Sequence, residues 1–261
     1  ASVRSLVLDG VVPPALALGS EHALNLETAL QAILSRCADD VACASAFGDP
    51  YARLQELQQR ARLAPQSLDV ADPLTQKPRA MRLDGDSVAV VARLFAYAPE
   101  SAALLPLLVD EALRGRPDPL LAQAALVVDS LVGQINHGMQ LSVACAEDAP
   151  RLQAQPGDEG RVLGTAMIDV LRNQCSVWPT GPVSPDFHAP LRIEAPVLLL
   201  SGELDPVTPP RYGEQVLAGL PTARHLVGAG QRDLARASLE RYLQTYPEAR
   251  LPKDVRPLLD D

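Results

Sequence analysis

The stretch APVLLLSGELDPVTPP, residues 195–210, decides how this chain is read. An apolar run long enough for one strand ends in a turn carrying two carboxylates, Glu203 and Asp205, and three prolines follow at 206, 209 and 210. A short continuous apolar run bounded by turn residues suits a strand buried on both faces, as in a parallel sheet. Ligands and catalytic groups gather at the carboxyl ends of such strands. Asp205, on the outgoing loop, is therefore placed to orient a histidine and to stabilise its protonated form. The prolines restrict the loop and would keep the carboxylate still. The competing reading is that Asp205 caps the next helix or closes a turn.

Working outward, PRYGEQVLAGL reads as a helix and ARHLVGAG, 223–230, as the strand after it, which makes a βαβ unit with parallel strands. At the other end of the chain, VRSLVLDGVV, 3–12, is a further buried strand closed by Asp-Gly. Residue 1 stands directly before it with no basic and apolar leader, so the chain is expected to open within a fold. Between these strands, roughly 20–180, the pattern is helical. Helices are expected over 21–37 with Ser20 as N-cap, over 49–63, over SVAVVARLFAY with Asp86 as cap, over 100–115, over 118–135 and over 158–175. Pro65 to Pro78 reads as an irregular connection, and MRLD at 81–84 is too short and polar for a buried strand. The order predicts an α/β fold with a large helical insertion: a core from 1–19 and 181–231, a cap from 20–180, and a polar helical tail from 232–261. No internal repeat is visible.

Hydrophobic residues make up 47% of the 261, enough to build a core, but aromatics are only 3%, so Leu, Val and Ala must fill it. A net charge of −9 leaves nothing to neutralise a row of phosphates, which argues against nucleic acid. No stretch is apolar enough to span a membrane, and the leucine-rich helices at 101–135 lack the basic face of a membrane-surface helix. Cys37 and Cys43 lie close together, with Cys145 and Cys175 farther on, and no histidine stands at metal-ligand spacing from them. The simplest pairing is two disulfides, Cys37–Cys43 and Cys145–Cys175, which implies an oxidising compartment; the alternative is four reduced thiols. No metal or cofactor is expected.

LLLSGELDPVTPP resembles the acid loop of α/β-hydrolases, and more narrowly that of secreted serine peptidases related to proline iminopeptidase and tripeptidyl aminopeptidase. SVRSLVLDGVVPPALALG resembles the strand after their nucleophile-elbow helix, while LSRCADDVACASAF and LSVACAEDAP resemble parts of their cap, cysteines included. These blocks fall in the family's order over about residues 2–231. The resemblance implies a partial α/β-hydrolase sheet, a periplasmic or secreted location, and Asp205 as the acid of a Ser–Asp–His set. It also implies that acidic cap residues receive a substrate amino group. Glu147 and then Asp148 match that role, with Trp178 as a candidate wall of the same pocket; a solvated turn and plain core packing are the alternatives. The expected partner is a peptide or a small amine-bearing substrate.

The other catalytic members are not matched. No G-x-S-x-G elbow occurs, and the nearest look-alike, GDSVA at 85–89, opens a helix, so Ser87 reads as a helix-start residue. The family's histidine should follow a Gly-Gln-Gly-like turn, but GAGQ is followed by RDLARAS. His225 stands at the start of its strand, about 16 Å from the end where Asp205 lies, and His188 reads as a surface residue. The serine and histidine are thus expected from sequence outside this chain, for example the N-terminal part of the same fold, and the chain alone is expected to be inactive. The alternative is a non-catalytic peptide- or amine-binding derivative, or a fragment of that fold.

Overall fold

The structure is a computed structural model that describes residues 3–132, 134–228 and 244. The expected tail at 232–261 lies outside the described residues apart from Gln244. In chain order the first elements are β1 (Leu6–Asp9), α1 (His22–Asp39), α2 (Val41–Phe47), α3 (Pro50–Leu63), β2 (Gln66–Ala71) and β3 (Pro78–Leu83). Then come α4 (Gly85–Phe95), α5 (Pro99–Ala102), α6 (Leu105–Leu113), α7 (Asp118–Val132), α8 (His137–Glu147) and α9 (Ala166–Cys175). The last are β4 (Val197–Gly202), α10 (Pro210–Leu217) and β5 (Ala223–Gly228). Two compact units result, one from Ala1–Ala17 with Val183–Asp261 and the other from Leu18–Pro182.

In the first unit β4 lies between β1 and β5, parallel to both. Val197, Leu198 and Leu199 have no accessible surface, as expected of a central strand covered on both faces. Alternate residues Val197 and Leu199 pack with Leu6, Leu8 and Ala223 against Val216, Leu217 and Leu220 at and just beyond the end of α10. The register places Asp9 beside Leu200 and Gly202 beside Gly228, so the carboxyl ends of all three strands lie together.

The second unit is built on leucine, valine and alanine. Leu26, Leu30 and Leu34 recur every four residues along one face of α1 and meet Leu54 and Leu57 of α3, Val88 and Phe95 of α4, and Leu120 and Leu121 of α7. Each fully buried leucine contributes about 2 kcal/mol. The unit is not wholly helical. β2 and β3 form an antiparallel hairpin where an irregular connection was expected, and Met81–Leu83 of MRLD make the second half of β3. Val70 and Leu83 turn inward while their neighbours face out, so the hairpin is held by one apolar face. Pro78 is the first residue of β3, a position where a strand tolerates proline.

Several helix ends also differ from expectation. α4 is capped by Asp84, not Asp86: Asp84 Oδ1 accepts from the Ser87 amide at 2.9 Å, and Ser87 Oγ accepts from the Asp84 amide at 2.9 Å. Ser87 is thus half of a capping box. The N-cap position of α1 is Glu21 rather than Ser20. The stretch 100–115 breaks around Ala103–Leu104, where Pro106 falls in the first turn of α6 and suits a helix start. Only the second half of 158–175 is α-helix; Asp158–Gly160 is a single 3₁₀ turn.

His22 opens α1. Burial, aided by the Arg93 charge, pushes its imidazole down to about 4 from an ordinary 6.5. The folded chain therefore keeps His22 neutral while the unfolded chain takes up a proton below 6.5. Its contribution to stability is whole above pH 6.5 and is lost as pH falls toward 4, amounting to about 3 kcal/mol at the limit. Denaturant unfolding at pH 7 and at pH 4.5 should show a loss that His22→Gln largely removes. An identical loss in both proteins would refute this assignment.

Candidate active site

Asp205 lies on the loop between β4 and α10, half-buried, at the carboxyl end of the central strand. Its Oδ1 accepts from the amides of Val207 and Thr208, each at 2.8 Å, and its Oδ2 accepts from the Thr208 hydroxyl at 2.6 Å. The N-cap position of α10 is Pro209, so the carboxylate closes the turn before the helix and does not cap it. Thr208 also touches the loop leaving β1. Gly10 has φ +62°, and a Cβ there would stand 2.9 Å from Thr208 Oγ1. Both the backbone conformation and the close approach call for glycine. Three donors from its own loop fix Asp205 and leave Oδ2 able to accept one further hydrogen bond. That is the arrangement needed to hold an imidazole N–H in one direction.

Among the described residues the hydrogen-bond partners of the Asp205 carboxylate are Val207 and Thr208, and no histidine reaches it. His225 is bound elsewhere. Its Nε2 lies 2.9 Å from Ser201 Oγ, across the β4–β5 pair. Its ring sits over Gly213 of α10, where a Cβ would come within 2.4 Å of Nε2. Burial holds this imidazole below its ordinary value, with the Glu214 carboxylate opposing. Ser201 is 5% exposed, so the pair ties the ends of β4 and β5 together from inside. Beyond it, the Glu203 amide donates to the Gly228 carbonyl at 3.0 Å. His188 is tied through Nδ1 to the Pro14 carbonyl at 3.1 Å.

The cap carboxylates have distinct surroundings. Asp148, 8% exposed, accepts from the Leu18 amide at 3.0 Å and pairs with Arg151. Its oxygens are thereby engaged in holding the start of the unit to the turn after α8. Glu147, the last residue of α8, is half-buried. Trp178 is half-buried and donates from Nε1 to Ser142 Oγ at 3.2 Å, so it lies along α8. Disulfides join Cys37 to Cys43 and Cys145 to Cys175. The second links α8 to α9 immediately before Glu147. No group of histidine, cysteine and carboxylate side chains that could hold a metal occurs among the described residues. No helix among them is long and apolar enough to cross a membrane.

A parallel β1–β4–β5 sheet with an ordered carboxylate loop at the end of β4, and a mainly helical insertion between β1 and β4, is a partial α/β fold with a helical insertion. Residues 160–244, about a third of the chain, match the family model for TAP-like protein, an α/β-hydrolase family. The matched segment includes α9, β4, the Asp205 loop, α10 and β5. No curated protein matches the chain.

Proposed function

We propose that the chain is the cap and acid-loop part of a secreted or periplasmic serine hydrolase that releases residues or short peptides from the amino terminus of its substrates. Asp205 is the acid. A histidine and a serine from outside the described residues complete the set. The serine oxygen attacks the scissile carbonyl while the histidine takes its proton, and Asp205 stabilises the imidazolium. The proton then passes to the leaving amine. Glu147 receives the substrate ammonium through a charge-assisted hydrogen bond, and Asp148 holds the turn beside it. Two disulfides suit an oxidising compartment.

The observation that carries this reading is the Asp205 carboxylate, held by three loop donors at the end of the central strand with one acceptor position left. The test is labelling by a serine-reactive phosphonate. This chain alone should not label. Joined to a segment supplying a G-x-S-x-G elbow and a histidine, it should label, and Asp205→Asn should weaken that strongly. Unchanged labelling of the variant would remove Asp205 from the mechanism.

A second reading, a peptide- or amine-binding derivative without chemistry, is favoured by the Ser201–His225 pair, which gives the β5 histidine a partner other than Asp205. It predicts amine binding that Glu147→Gln weakens, with no turnover in any assembled form.

A further inference from the structure

A cavity of about 390 Å³ opens within the second unit between the end of α2, the start of α3 and the end of α6. Arg53 of α3 and Arg114, just after α6, line it and converge on one carboxylate. Arg53 Nη2 donates to Asp110 Oδ1 at 2.6 Å, and Arg114 Nε lies 2.7 Å from Asp110 Oδ2. Asp110 is 5% exposed, so two guanidiniums share a single buried anion and one positive charge is left over. The two guanidiniums carry ten N–H donors between them, whereas a carboxylate accepts about four hydrogen bonds. Arg53 Nε is buried without an acceptor among the described residues. That nitrogen is shut off from solvent as the side chain stands, so an acceptor entering the cavity reaches it once the guanidinium turns.

The rest of the lining carries the opposite sign. Asp49 spends Oδ1 on the Tyr51 and Ala52 amides at the start of α3 and is otherwise exposed. Glu56 lines the cavity one turn on and pairs with Arg60. Two carboxylates at the rim repel a dianion and attract an ammonium. The cavity thus presents a cationic receptor and an anionic one within a space suited to a small organic molecule.

We propose that this cavity binds a small zwitterion of the amino-acid type, its carboxylate on the Nε and Nη edge of Arg53 with Arg114, and its ammonium toward Asp49 and Glu56. A slight turn of the Arg53 guanidinium brings Nε and Nη onto the two carboxylate oxygens, the bidentate pairing that arginine favours. The site lies wholly within the second unit and does not depend on the hydrolase chemistry.

The test is a titration of the full chain with L-alanine, acetate and methylammonium, followed by calorimetry and by amide shifts of residues 46–56. L-Alanine should bind at least about tenfold more tightly than either single-charge probe, because each of those leaves one receptor unpaired. Arg114→Gln leaves Asp110 paired with Arg53, and Arg53→Lys keeps the charge beside Asp110 while removing Nε. Each should weaken L-alanine binding about tenfold without unfolding the chain. No binding of L-alanine to the folded chain would overturn the proposal. Equal affinity for the three probes, or unchanged affinity in both variants, would overturn it as well.

Discussion

In the assembled hydrolase, Asp205→Asn is expected to lower the turnover of a substrate with a free amino terminus by about three to four orders of magnitude. The loss should come with almost no change in stability, because asparagine keeps what the loop needs. Its carbonyl oxygen still accepts from the Val207 and Thr208 amides, and its amide can donate to the Thr208 hydroxyl in place of the bond that hydroxyl now gives. What disappears is the negative charge and the remaining acceptor position that face a histidine. A melting temperature close to the unsubstituted protein, alongside the collapse in turnover, would assign Asp205 to chemistry. Loss of folding with proportionate loss of activity would instead make it a structural turn residue. Thr208→Val should lower activity too, but only modestly, because Oδ2 keeps its charge while its position is no longer fixed by the hydroxyl.

Removing the Cys145–Cys175 bridge as paired alanines is expected to cost about 4 kcal/mol. Removing Cys37–Cys43 should cost about 2 kcal/mol. The ranking follows from the loops closed. The first bridge spans 30 residues of sequence and the second 6, so the first restrains the unfolded chain more. Packing strengthens the order, since Cys145 is 1% exposed and Cys175 packs against Leu152, Ile168 and Leu171, so truncating the pair leaves space in a filled interior. By contrast, α2 buries none of its seven residues, and its attachment to α1 through the short bridge is local. Denaturant unfolding of the two double variants would measure both effects. A larger loss from the short bridge would contradict the loop argument.

The central strand was legible because burial on both faces leaves an unbroken apolar run, Val197–Leu200, with which no other pattern competes. The hairpin was not. Gln66–Ala71 and Pro78–Leu83 do alternate, with Leu68, Val70, Met81 and Leu83 on one side. Proline before the first strand and at the start of the second, however, imitates a loop. The Asp84 cap was also readable, since Asp-x-x-Ser precedes the apolar run of α4. At the site, Asp205 was found through the run that ends before it and through resemblance. Asp205-Pro-Val-Thr208 carries the same turn signature as a capping pair, so the role of the Thr208 hydroxyl was within reach of the sequence. The Ser201–His225 bond was not, because it depends on the register that sets Leu199 beside His225. A strand's own residues do not specify which neighbour lies opposite them.

Trp178 gives the α8–α9 pair an optical handle. It is the one tryptophan among 261 residues, its indole N–H rests on Ser142, and Cys175 lies three residues before it. Fluorescence excited at the indole band therefore reports on this bridge and its two helices, while circular dichroism averages over every helix. If the helices bearing Glu147 part before the leucine core melts, emission will shift at lower denaturant than ellipticity. Two non-coincident curves would then mark the α8–α9 pair as a separate opening step.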